Sequence, residues 1–353
     1  MPIRSSPRSG SAPAGSPAYS VPFVRTEARF PEIPEKAGHY ESFYLKLVQP
    51  GGGRAAWIRH TVHKRPGEEA TCALWFVLFD SSAAGPRATK RQFGADELSA
   101  GPDTYIRIAG ASLTDGRAVG RVETDVIAAK WDLTFADTHE PFHHLPKDFL
   151  YRSKLPKTKF LSPYPDAVFN GEIEVGDERI DVKDWRGMIG HNWGAEHAER
   201  WVWIQGSGFE GRSPEDYFDM AVGRIKVAGR TTPWVGNAML MLDGKPHRLG
   251  GFGHVPSTEV EESPTGARFE LKGKGVKVTG NVSAAAKDFV AWIYADPVGP
   301  EHNTLNCSIS DLQLDVELDG GPAQRLTVKG AAAYEFGTRD KDHGIPVQPY
   351  PDG

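Results

Sequence analysis

Apolar residues in this chain alternate with polar ones in short runs, and turn residues separate the runs. YESFYLKLV, AAWIRHTVHK and TCALWFVLF follow one another across QPGGGR and RPGEEA, and RWVWIQGSGF, DYFDMAVGRIKV, ARFELKGKGVKVTGNVSA and TLNCSISDLQLDVEL repeat the habit further on. Runs rich in β-branched and aromatic residues, with a period of two, read as strands. DGK, DGR, VGDE and DGGPAQ between them are turn signals, at the spacing of sandwiches and barrels. Helical periodicity is confined to RATKRQFGADELSA and LPKDFLYRS, each sufficient for one short helix. A chain made of strands must cover its sheet edges, and closure removes them. The pattern therefore predicts an all-β protein with very little helix, built as two consecutive antiparallel β-barrels.

The 353 residues divide accordingly into a tail at 1–21, a first β domain at 22–180, a second at 181–340 and a tail at 341–353. The Pro-rich stretch LPKTKFLSPYPDA at 155–167 is expected near the join or across the mouth of the first barrel. Residues 1–21 are rich in Ser, Pro, Ala and Gly and lack an apolar h-region, which predicts a disordered tail and no signal peptide. No apolar run reaches the length that spans a bilayer, so the expected location is cytoplasmic. The net charge is −5 with no basic stripe, which argues against nucleic acid as a partner. The two cysteines, Cys72 and Cys307, match no metal or redox spacing and are expected as reduced, buried thiols.

Several motifs match in letter only. His139-Glu140-Pro141-Phe142-His143 fits the zincin pattern, which works on a helix, and Pro141 opposes a helix interior. Gly206 to Gly211 reads G-x-G-x-x-G after a strand, but the following RSPEDYFDM opens no crossover helix, so a hairpin turn is expected. Spacing would allow a metal on His191, Glu196 and His197, yet nothing supplies the second-shell support that such a site needs. Neither a metal nor a cofactor is expected.

His191-Asn192-Trp193-Gly194, the strand from Trp201 through Trp203 to Gln205, and Tyr217-Phe218-Asp219 remain. Together they resemble the lipocalin-like superfamily of carotenoid 1,2-hydratase (hydroxyneurosporene synthase) and tocopherol cyclase. The resemblance implies two lipocalin-like barrels and a His-x-Trp-Gly segment followed by Tyr-x-Asp on a neighbouring strand. It also implies an acidic residue before the histidine, where this chain has Gly190.

The chemistry so implied is protonation of an isoprenoid-type alkene in a dry site, with capture of the cation by water or by an internal hydroxyl. The candidate catalytic residues are His191, Trp193, Tyr217 and Asp219, with Asp219 as the acid and His191 polarising it. Trp201, Trp203 and Gln205 are the candidate substrate-binding residues; indole faces stabilise cations. The expected partner is a hydrophobic small molecule, terpenoid or lipid-like, with peripheral membrane contact compatible with it. Structural roles stand beside these: His191 pinning an interdomain corner, Asp219 paired with Arg200 or Arg224, the tryptophans as core. A non-catalytic lipid or pigment carrier, needing only an apolar cavity, is the alternative from another class, and a structural pair of filled barrels is the third.

Overall fold

The computed structural model describes residues 25–227 and 230–350. The tail expected at 1–21 and residues 351–353 lie outside the described residues.

The first sheet is built from β1 (His39–Val48), β2 (Arg54–Lys64), β3 (Thr71–Asp80), β4 (Arg87–Phe93), β5 (Leu98–Gly101) and β6 (Thr104–Ile108). It continues with β7 (Ala111–Thr114), β8 (Arg117–Glu123), β9 (Ala128–Ala136), β10 (Phe142–His143), β11 (Thr158–Val175) and β12 (Glu178–Gly194). Its order is β4-β3-β2-β1-β12-β11-β9-β8-β7-β6-β5, with β10 on β11, and it curls without closing. One short helix, α1 (Asp148–Arg152), interrupts it where LPKDFLYRS predicts one, whereas RATKRQFGADELSA supplies β4 and a 3-10 turn instead.

The second sheet contains β13 (Arg200–Ser207) and β14 (Tyr217–Arg224), then β17 (Val235–Leu242) and β18 (Lys245–Gly250) after a small ribbon of β15 (Lys226–Val227) and β16 (Arg230–Thr231). It is completed by β19 (Glu259–Ser263), β20 (Gly266–Gly273), β21 (Val276–Ser283), β22 (Val290–Ala295), β23 (Glu301–Leu318) and β24 (Gln324–Thr338). The order β18-β17-β14-β13-β24-β23-β21-β20 closes on itself where Leu249 meets Gly273, giving an eight-stranded barrel. The all-β, two-unit architecture expected from the strand pattern is therefore present, with one unit closed and the other a curled sheet.

The passage between units falls later than Asp181. All of β12 up to Gly194 pairs with β1 and β11, and the second sheet begins at Arg200. The Pro-rich stretch is not a loop but the start of β11. Register shifts around Tyr164 absorb Pro163 and Pro165, which lack ladder donors. At the other end, Ile345 is buried and the Gln348 amide donates to the Ala291 carbonyl, so the segment expected as a C-terminal tail packs along β22. Cys72 and Cys307 are buried, unbridged, and in different units. No helix among the described residues is long and apolar enough to cross a membrane.

Apolar side chains line the interior of each unit. Val202, Ile204, Phe218, Met220, Leu240 and Leu314 point into the closed barrel, all buried. Phe43, Leu45, Ile58, Leu74, Trp131 and Ile189 do the same in the first unit. His60 sits among the latter, fully buried between Ile58 and Val62, with neither ring nitrogen hydrogen-bonded among the described residues. Burial lowers its pKa to about 4. The native ring stays neutral while the unfolded one takes a proton below about pH 6.5, so stability present above that pH is lost as the pH falls toward 4. At pH 5 this one ring costs about 2 kcal/mol relative to pH 7. His60→Leu is expected to remove that share of the slope in urea titrations at the two pH values; an unchanged slope would show that His60 is not its source.

Candidate functional site

The two units meet face to face, and strand alternation decides what each presents. In β1, Phe43, Leu45 and Leu47 turn into the first unit, while Tyr44 and Lys46 turn toward the second. In β13, Val202 and Ile204 enter the barrel, while Trp201, Trp203 and Gln205 face the first unit. Gln205 is consumed as a fastener: its Oε1 accepts from Lys46 Nζ at 2.9 Å and its Nε2 donates to the Pro165 carbonyl at 3.3 Å. Burial pushes the Lys46 amine down to about 7.

Asp219, fully buried on β14, is the centre of this seam. Ser162 Oγ of β11 donates to its Oδ2 at 2.6 Å, and Trp203 Nε1 donates to its Oδ1 at 3.2 Å. His144 Nε2 lies 3.4 Å from Oδ2 and 3.2 Å from Ser162 Oγ. Carboxylate, hydroxyl and imidazole thus share one small space built from both units, at the kink that the prolines put into β11. This is not a hydrolytic triad, because Ser162 and Asp219 both touch the same ring nitrogen of His144, and a triad uses one nitrogen for each. The alternative ion pairs for Asp219 are absent: Arg200 binds Glu262 and Asp340, and Arg224 donates to the Thr232 carbonyl.

Aromatic rings wall the cluster. Tyr44 meets Trp203 edge to face at 5.5 Å, and Tyr217 packs on His139 at 5.0 Å. Burial, then the Asp219 charge, hold both phenols well above their usual pKa, so both remain protonated. Further along the seam, Trp201 Nε1 donates to Glu335 Oε1 at 2.9 Å. Tyr44, Asn192 and Ala221 are only half-buried here, and Asn192 Oδ1 has no hydrogen-bond partner among the described residues.

Tyr44 also accounts for Gly190. The two are cross-strand partners, and a Cβ on Gly190 would fall inside the Tyr44 ring, nearest to Cζ and the hydroxyl. The phenol occupies the space into which a side chain at 190 would project.

His191 is on the other face of the sheet. Its Nε2 lies 2.8 Å from Glu41 Oε1 and its Nδ1 2.6 Å from Thr26 Oγ1. Glu41 can only accept when ionised, so Nε2 carries the hydrogen and Nδ1 takes that of Thr26. Burial lowers the His191 pKa, in keeping with this neutral tautomer. Trp193 stacks on His191 at 4.4 Å, and the Arg29 guanidinium lies over the Trp193 ring at 5.0 Å. The structure thus brings Asp219, Trp203 and Tyr217 together and does not bring His191 or Trp193 to them. The expected polarisation of Asp219 by His191 is replaced by His144 and Ser162, because adjacent residues of β12 point to opposite faces.

The remaining motif readings resolve locally. His139 Nδ1 pairs with Asp137 at 2.8 Å, and His143 lies on β10, so no helix presents the zincin histidines together. Gly206 to Gly211 joins β13 to β14 as a hairpin. His191, Glu196 and His197 separate, pairing with Glu41, Lys157 and Asp296 respectively. Sequence reasoning missed His144, Ser162, Tyr44 and Glu41. The first two were in view inside HEPFHH and the Pro-rich stretch, but no local signal tied them to Asp219.

No family model matches the chain. Two uncharacterized proteins from two strains of Mycobacterium tuberculosis are each 27% identical over 337 residues, covering 93% of this chain and 94% of the relative. A proposed AttH from Nitrosomonas europaea superposes with a TM-score of 0.52 at 13% identity, over 89% of this chain and 97% of that one. Kievitone hydratase from Nectria haematococca does so with a TM-score of 0.50 at 11% identity, over 87% and 90%. At such identities the likeness is one of fold: the chain shares the lipocalin-like two-unit architecture of these proteins.

Proposed function

We propose that the protein is a hydratase-type enzyme that adds water across a carbon–carbon double bond of an apolar, isoprenoid-like molecule, in the seam between its two β units. The observation that carries this reading is the Asp219–Ser162–His144 cluster, a buried group of proton-exchanging side chains assembled from both units beside Tyr44 and Trp203. The fold shared with kievitone hydratase supports the same reaction class.

In the proposed reaction the cluster gives a proton to one alkene carbon, and the cation forms on the other. Water attacks the cation, and the proton it sheds returns to the cluster, so that H and OH are added and the site is restored. Capture by a hydroxyl of the substrate itself would give a cyclase from the same site. The faces of Trp203 and Tyr44 stabilise the cation by up to ~2 kcal/mol when desolvated. Asn192 Oδ1, unpartnered in the half-buried part of the seam, is placed to bind a polar group of the substrate or the attacking water. The carrier alternative is less well supported, since a carrier has no need of a buried carboxylate–hydroxyl–imidazole cluster. The groove of about 400 Å³ on the first sheet is lined by Asp132, Thr134, Glu172, Arg179 and Asp181, which suits no lipid.

The test is turnover of prenyl-substituted phenols in water labelled with heavy oxygen, read by mass spectrometry. Label should enter the product, and Asp219→Asn and His144→Ala should each lower the rate at least ~10²-fold with the fold retained by circular dichroism. Unchanged rates in both variants, or a product without label or cyclisation, would sink the proposal.

A further inference from the structure

A second buried cluster lies outside the seam site, where the linker between the sheets reaches the closed barrel. His197 of that linker, Asp296 after β22 and His302 of β23 each offer one ligand atom, and these atoms lie within 4.8 Å of one another. Asp296 and His302 are 3% and 0% exposed, so the cluster is not a solvated charge patch. Asp296 Oδ1 accepts from both the backbone amide and Nδ1 of His197, each at 2.7 Å. Asp296 Oδ2 and His302 Nδ1, however, are buried without a hydrogen-bond partner among the described residues. Buried polar atoms left without a partner in one cluster are costly unless a further group satisfies them.

We propose that His197, Asp296 and His302 form a binding site for a divalent transition metal of the zinc type. Two imidazoles and one carboxylate are the borderline donor set such ions take, and three protein ligands leave a fourth position for water. A space of about 10 Å³ lined by Tyr40, Glu41, Arg59, Thr61, His63 and His197 adjoins the cluster and is on the scale of one water. Rings hold the ligands in place: Tyr40 stacks on His197 at 3.9 Å, and Trp201 packs on His302 at 5.4 Å.

Binding carries two structural consequences. Metal–ligand bonds near 2.1 Å hold tetrahedral donors about 3.4 Å apart, so the 2.7 Å hydrogen bond between His197 Nδ1 and Asp296 Oδ1 opens and the His197 proton moves to Nε2. Arg339 Nε lies 3.3 Å from His302 Nε2, which must carry a hydrogen once Nδ1 ligates. Arg339 then turns from His302 toward Glu199, whose carboxylate is already 2.8 Å from its NH1. The metal would hold the linker against the second unit, a stabilising role separate from the hydration chemistry.

Titration of the whole, chelator-treated protein with Zn²⁺ by calorimetry is expected to give one site per chain. Saturation at a hundredfold excess over Kd should raise Tm by roughly 4 °C. Co²⁺ should give visible d–d absorption of a four- or five-coordinate site. Asp296→Asn and His302→Gln should each weaken binding at least 10-fold, His254→Ala should leave it unchanged, and Arg339→Gln should tighten it. The Arg339 variant keeps all three ligands and so tests the site even if a ligand variant fails to fold. Absence of Zn²⁺ binding, or binding that the ligand variants leave unchanged, would overturn the assignment.

Discussion

Glu41→Ala is expected to lower folding stability by roughly 3–5 kcal/mol, because it removes the charge around which the first unit's N-terminal segment is ordered. Glu41 is fully buried, and its two oxygens accept from the amides of Arg29, at 2.8 and 3.0 Å, and Phe30, at 2.7 Å. His39 and His191 complete the set at 3.2 and 2.8 Å. Burial alone would push the carboxyl up, but the hydrogen bonds from His191 and His39 outweigh it and hold it at about 2. Since the native value lies below the ordinary one, its stabilisation is complete above about pH 4.5 and is lost as the pH falls toward 2. Urea unfolding at pH 7 checks the magnitude, and proteolysis near Thr26 to Phe30 should become faster in the variant. A loss under about 1 kcal/mol would mean that water replaces Glu41 at those amides.

This carboxylate illustrates what the chain's pattern conveys and what it withholds. Alternation along YESFYLKLV identifies a strand, and it places Glu41 on the same face as Phe43 and Leu45. A charge on an apolar face signals a partner, but the partners come from a 3-10 turn and from β12, and only the register of β1 on β12 sets Phe43 opposite His191. The same holds for the seam. The alternation that sends Trp201 and Trp203 to one face and Val202 and Ile204 to the other is legible in RWVWIQG, as is the hairpin at GSGFEG. Ser162 is 57 positions from Asp219, on a strand whose prolines shift its register, so no periodicity points from one to the other. Across Gly190 and His-x-Trp-Gly the odd and even positions face different units: His191 and Trp193 line the first, and Gly190 and Asn192 border the seam. Period two predicts that split; which face meets β14 depends on how the barrel docks.

Gly190→Asp is expected to cost about 3 kcal/mol or more, through overpacking and a buried charge, although it installs the carboxylate that the resemblance to the hydratases leads one to expect. The new Cβ would fall within the Tyr44 ring, and β1 and β12 are too firmly paired there, from Tyr40–Gly194 to Val48–Arg186, to part. Tyr44→Ala opens that space. The double variant should therefore be more stable than Gly190→Asp alone, with a coupling of roughly 1–3 kcal/mol in a double-mutant cycle of urea unfolding. If Gly190→Asp is as stable as the parent with Tyr44 intact, the phenol does not fill the position.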